Sequence, residues 1–133
     1  MRTTAKPISS THHSLPDPDS TLAATGAATG AAKGCGAAVA GAAGAGAIVV
    51  VEPEPGRRAL ASQVGADAVI DPIARPDLAA AIAEASGRSV IDVVFECAGI
   101  PPTINQSVSL VRRGGVVSLV GMPNRPAEIQ AAE

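Results

Sequence analysis

From residue 48 onward, short apolar runs alternate with stretches in which apolar residues recur every third or fourth position. The first run, Ile48-Val49-Val50-Val51, is continuous rather than alternating. Branched side chains are stiff at χ1 and fit a pleated surface, and an unbroken run suits a strand covered on both faces. The run ends at Glu52, and Pro53 to Gly56 turn the chain into a helix over Arg57 to Val64, with Leu60 and Val64 on one face and Gly65 as its stop. Ala68-Val69-Ile70 predicts a second strand, closed by Asp71-Pro72. Pro76 opens a helix through Ala85 that turns Leu78 and Ile82 inward and ends at Gly87. Val90 to Phe95 predicts a third strand. Pro101-Pro102 then start a helix carrying Ile104, Val108 and Val111, with Arg112 and Arg113 suited to its negative C-terminal end. Gly114-Gly115 turn the chain into a fourth strand, Val116 to Val120, before Gly121-Met122-Pro123.

Strands alternating with helices of about ten residues imply right-handed βαβ crossovers. The expected fold class is α/β: a Rossmann-like parallel sheet with helices on both faces. A buried strand that ends in a carboxylate and turns into a helix reads as the second βα unit of a dinucleotide-binding sheet. There the acid, here Glu52, accepts hydrogen bonds from ribose hydroxyls. An ordinary exposed strand-end glutamate satisfies the same local pattern.

Upstream the pattern is lost. Residues 1–22 are rich in Ser, Thr, Pro and Asp and predict a disordered tail. Its His12-His13 pair has no third ligand nearby, and adjacent residues of an extended chain point apart, so the pair reads as solvated. Residues 23–47 hold 13 Ala and 7 Gly and form a low-complexity segment. Interior glycines make it a poor isolated helix, although those at 26, 30 and 34 would line one edge of any helix that formed. The expected domain runs from 48 to 123, followed by a weakly patterned tail over 124–133.

Composition narrows the function classes. The 133 residues carry 10 basic and 12 acidic side chains, a net charge of −2, with no basic stripe for nucleic acid or an anionic membrane surface. One Phe, no Trp and no Tyr leave no stacking platform for single strands. Cys35 and Cys97 follow neither metal-ligand nor disulfide spacing, and no signal peptide or long apolar span is evident, so the cytoplasm is the expected compartment.

Four blocks carry a more specific signal. Ile48 to Pro53 with Arg57 to Ala61, Gly65 to Pro72, Asp92 to Gly99, and Arg113 to Gly121 resemble, in order and spacing, the cofactor domain of medium-chain zinc-type alcohol dehydrogenases. The flavour is that of sorbitol, butanediol and threonine dehydrogenases. The resemblance implies that Glu52 takes the adenosine ribose hydroxyls and prefers NAD over NADP, with Arg57 along the adenine side. It implies that Cys97-Ala98-Gly99 lets backbone approach the cofactor ribose, with Cys97 a pocket-wall residue, and that Val120-Gly121 faces the nicotinamide amide.

The departures from that family are as informative. Its glycine turn has only Gly34-Cys35-Gly36-Ala37-Ala38-Val39 as a counterpart, with Val39 in place of the third glycine. Gly34 lies 18 residues before Glu52, closer than the family's interval. No apolar strand precedes it. Either Ala23 to Thr29 supplies a poor first strand, or the sheet is incomplete, with two exposed edges that would invite a homo-oligomer. The family's last strand and the zinc ligands of its catalytic domain have no counterpart, so the metal site is expected to be none. The expectation is therefore a fragment of an NAD-dependent alcohol or polyol dehydrogenase, serving hydride transfer between NAD(H) and a small alcohol or ketone, inactive alone. The alternative is a non-catalytic nucleotide-binding or assembly module.

Overall fold

The computed structural model describes residues 21–25, by their backbone, and residues 44–130. The remainder of the expected tail, His12-His13, the glycine stripe at 26, 30 and 34, and Gly34-Cys35-Gly36 lie outside the described residues.

Five parallel strands form one sheet: β1 (Thr21–Thr25), β2 (Ala47–Val51), β3 (Ala68–Ile70), β4 (Ile91–Glu96) and β5 (Val111–Leu119), in the order β3-β2-β1-β4-β5. The described helices are α1 (Pro55–Gln63), α2 (Leu78–Ser86) and α3 (Pro101–Leu110). The sheet is the expected Rossmann-like one.

β1 decides between the two alternatives for the start of the sheet. Thr21 to Thr25 pair with Ala47 to Val51 on one side, and Leu22 to Thr25 pair with Val93 to Glu96 on the other. The central position is filled, and the two half-sheets with exposed inner edges do not arise. The strand starts two residues before the expected window, so Thr21 and Leu22 belong to the sheet rather than to the tail. A short Ala/Thr segment carries little hydrophobic signal. Ladder hydrogen bonds, however, come from the backbone, and β2 and β4 each present a full row of donors and acceptors to it.

The continuous run in β2 is covered on both faces, as its pattern requires. Val49 and Val51 pack with Leu78, Ala81 and Ile82 of α2, while Ile48 and Val50 pack with Val64, Val93 and Phe95 on the opposite face. Leu78 and Ile82 are buried, as their spacing predicts.

Side-chain caps set the helix starts. Glu54 accepts hydrogen bonds from the N–H groups of Gly56 (2.9 Å) and Arg57 (2.7 Å), so α1 begins at Pro55 rather than at Arg57. Asp77 accepts from Ala80 N at 3.1 Å at the start of α2.

The third helix departs from expectation. It ends at Leu110, and Val111, Arg112 and Arg113 lie in β5. The register jumps from Ile91↔Val111 to Val93↔Val116, so the strand bulges across Arg112 to Gly115. Arg112 Nε bonds Asp92 Oδ1, a cross-strand partner that a helix-end reading could not supply. Part of the weakly patterned tail is docked. Asn105 of α3 donates to Glu128 O at 2.7 Å and accepts from Gln130 N at 3.0 Å, as a neighbouring strand would.

Candidate functional site

The C-terminal ends of β2, β1 and β4 lie side by side, since Thr25 is in register with both Val51 and Glu96. With strands about 4.8 Å apart, the ends of β2 and β4 are separated by about 10 Å. Strand order reverses around β1: β2 and β3 lie on one side of it, β4 and β5 on the other. In open α/β sheets the crevice outside the strand ends at such a switch point is where ligands bind. Glu52, Cys97, Ala98, Gly99, Val120 and Gly121 all follow strand ends on this edge.

Glu52 is 3 % exposed and anchored through its backbone, its N–H donating to Ile70 O at 3.0 Å. Its Oε1 accepts from Glu54 N (2.8 Å) and from Arg57 Nη2 (2.8 Å). Among the described residues Oε2 takes no hydrogen bond, leaving one acceptor oxygen for a ligand hydroxyl. Glu52 is therefore not an exposed strand-end acid. The hydrogen bond to Glu52 raises the Arg57 guanidinium further above its ordinary value, with the carboxylates of Glu52 and Glu54 adding to it. The Nε of Arg57 is buried without a partner among the described residues.

Arg58, which sequence reading treats only as part of a helix, staples this edge. Its Nη1 donates to Glu52 O (2.9 Å) and Pro53 O (2.7 Å), and its Nη2 pairs with Asp71 Oδ2 at 3.0 Å. It joins the strand ends of β2 and β3.

The second cluster is built from Cys97-Ala98-Gly99 and Val120-Gly121. Gly99 has φ +66°, and a Cβ there would lie 2.8 Å from Met122 N. A Cβ at Gly121 would lie 2.7 Å from Gly99 Cα. No other residue fits at either place without moving backbone, because these two turns pack main chain against main chain. The small residues therefore serve the contact between the turns first. Cys97 is half-buried, with its Sγ 3.9 Å from Phe95 O. Val120 is exposed.

Glu96, which the sequence reading does not single out, lies under both turns. It is completely buried, and its Oε1 accepts from Ala98 N (3.0 Å), Gly99 N (3.0 Å) and Thr103 Oγ1 (2.6 Å). The signal that could have found it is the one that marks Glu52: an acid closing a buried apolar run. Among the described residues, no group of three or more His, Cys, Asp or Glu could hold a metal ion, so no ligand set for zinc is present there.

Comparison with known proteins finds likenesses over most of the chain. The family model described as zinc-binding dehydrogenase matches residues 34–133. Geraniol dehydrogenase of Castellaniella defragrans is 40% identical over 88 residues, covering 66% of this chain and 23% of that one. An L-threonine 3-dehydrogenase of Caldanaerobacter subterraneus is 36% identical over 86 residues, covering 65% and 24%. A zinc-binding dehydrogenase of Sinorhizobium meliloti 1021, solved bound to NADP, superposes with a TM-score of 0.70 at 34% identity, covering 84% of this chain and 33% of that one. The chain spans about a quarter of the length of the curated relatives it matches.

Proposed function

Because the chain belongs to the zinc-binding dehydrogenase family, we propose that it is the cofactor-binding part of an NAD-dependent alcohol or polyol dehydrogenase. The observation that carries this reading is Glu52, buried at the switch-point edge with Oε2 open. In this reading Oε2 accepts from the adenosine ribose hydroxyls, and Arg57, held in place by Oε1, flanks the adenine. The backbone of Cys97-Ala98-Gly99 and Val120-Gly121 receives the nicotinamide half. NAD, when bound, supplies the hydride acceptor for oxidation of a small alcohol to its ketone or aldehyde. Gly34 and Gly36 remain the candidates for the pyrophosphate. Two cysteines with no disulfide spacing fit a reducing compartment, and the cytoplasm is the proposed location. No described helix is long and apolar enough to cross a membrane.

The preference for NAD over NADP follows from charge. A 2′-phosphate would meet the Glu52 carboxylate, and Arg57 already donates to that carboxylate instead of standing free to pair with phosphate. The relative solved with NADP makes the point worth testing. Fluorescence titration of the chain is expected to show NADH bound at least tenfold more tightly than NADPH, a difference of about 1.4 kcal/mol. Glu52→Ala should erase most of that ratio. Equal affinities in the wild type would overturn the selection, and no binding of either at millimolar cofactor would overturn the cofactor reading.

A second reading, an assembly module, is favoured by one feature. β5 is a nine-residue edge strand, and Val116, Leu119, Val120 and Met122 on or beside it are exposed. A homo-oligomer formed along this edge is the form this reading takes.

A further inference from the structure

A completely buried carboxylate normally has a cation beside it, because an ionised group removed from water is costly unless it is paired or fully hydrogen-bonded. Glu96 has no cationic partner among the described residues. It is held by neutral donors alone: Ala98 N, Gly99 N on both oxygens (3.0 and 3.1 Å), and Thr103 Oγ1 in the first turn of α3. A carboxylate is acceptor-only, and here three donors converge on Oε1 while Oε2 shares the Gly99 N–H. The main-chain carbonyl of the same residue accepts from Val120 N and Gly121 N, both at 2.8 Å. One residue therefore bonds, through side chain and backbone, both turns that close the crevice at β4 and β5. The turns also lock each other through the contact of Gly99 with Gly121.

Resting on the cofactor reading above, we infer that Glu96 is a positioning residue for the nicotinamide half of the cofactor. Its carboxylate sets the Cys97–Gly99 backbone and, through the Gly99–Gly121 contact, the turn beside it. It does not reach the ligand itself. Any apolar residue of similar size would fill the volume, but only a carboxylate presents an acceptor at both oxygen positions and sets no N–H against these donors. A glutamine whose oxygen keeps the Oε1 place turns its N–H₂ towards the Gly99 N–H, which Oε2 now shares with Oε1, and sets donor against donor. The adenosine half, gripped at Glu52 two strands away, is independent of this brace.

The test compares two probes on the full chain. ADP occupies only the adenosine half, whereas NADH occupies both. For Glu96→Gln, ADP affinity is expected within about twofold of the wild type, while NADH affinity falls about tenfold. Amide exchange should quicken at Ala98 and Gly99. Thr103→Val, which removes one donor from the same oxygen, should weaken NADH in the same direction by less, and Thr103→Ser should restore it. Should Glu96→Gln not fold, the Thr103 pair carries the same comparison. Unchanged NADH affinity, or an equal loss for ADP and NADH, would overturn the inference while leaving the cofactor reading intact. A wild-type chain that binds neither probe would overturn both.

Discussion

Glu52, Glu54 and Glu96 all follow or close strands, yet their surroundings give them three different tasks. Glu52 is buried and shares one oxygen with Arg57, leaving the other open. Glu96 is buried and held by three neutral donors. Glu54 is exposed and caps α1, and the N–H groups of Gly56 and Arg57 hold its carboxyl below the usual value of 4.5. The sign of the resulting pH dependence follows from linkage. The folded-state value lies below the unfolded one, so the cap's contribution is complete above about pH 4.5 and is lost as pH falls through the folded value. Urea midpoints measured from about pH 3 to pH 7 should therefore fall on the acid side, and Glu54→Gln should flatten part of that fall. An acid-side decline identical in the two proteins would remove the cap from the account.

At the level of elements, packing separates residues that composition treats alike. Ile82 of α2 is 1 % exposed against Val49, Val51 and Ile70, whereas Ile73 in the preceding loop is 78 % exposed. With no Trp or Tyr in the chain, aliphatic contacts such as those of Ile82 carry the core. Ile82→Ala is expected to cost about 2–5 kcal/mol, against a total of about 5–15 kcal/mol for a typical domain. Ile73→Ala should stay within about 0.5 kcal/mol. Denaturant midpoints measure both, and a small effect at Ile82 would mean that α2 does not seal this face of the sheet. The β5 bulge is the other element-level lesson. Arg112 and Arg113 look like helix-end cations in sequence, but the Arg112–Asp92 pair and the register jump place them in a strand. A contact across 20 residues is invisible to any local window.

At the scale of the molecule, the edge of β5, unpaired among the described residues, is the exposed feature that bears on assembly. If it self-associates, light scattering should give a mass that rises with concentration, and Leu119→Lys should return it to the monomer, since edge charges oppose strand pairing. A monodisperse monomer at all concentrations would sink the assembly reading without touching cofactor binding. The alternation of strands and helices, the doubly covered β2, the acid at its end and the family resemblance were legible in the sequence, because periodicity and local turn chemistry act over a few residues. Three things were decided only by the tertiary structure. The central strand is Thr21–Thr25, a segment with almost no hydrophobic signal, selected by the two parallel edges that flank it. Gly99 and Gly121 are small because they face each other, a constraint that neither local sequence contains. Glu96 ties both turns together through hydrogen bonds that exist only once β4 and β5 lie side by side. Local patterns are written residue by residue, but which strand fills a gap and which backbones must touch depend on partners far along the chain.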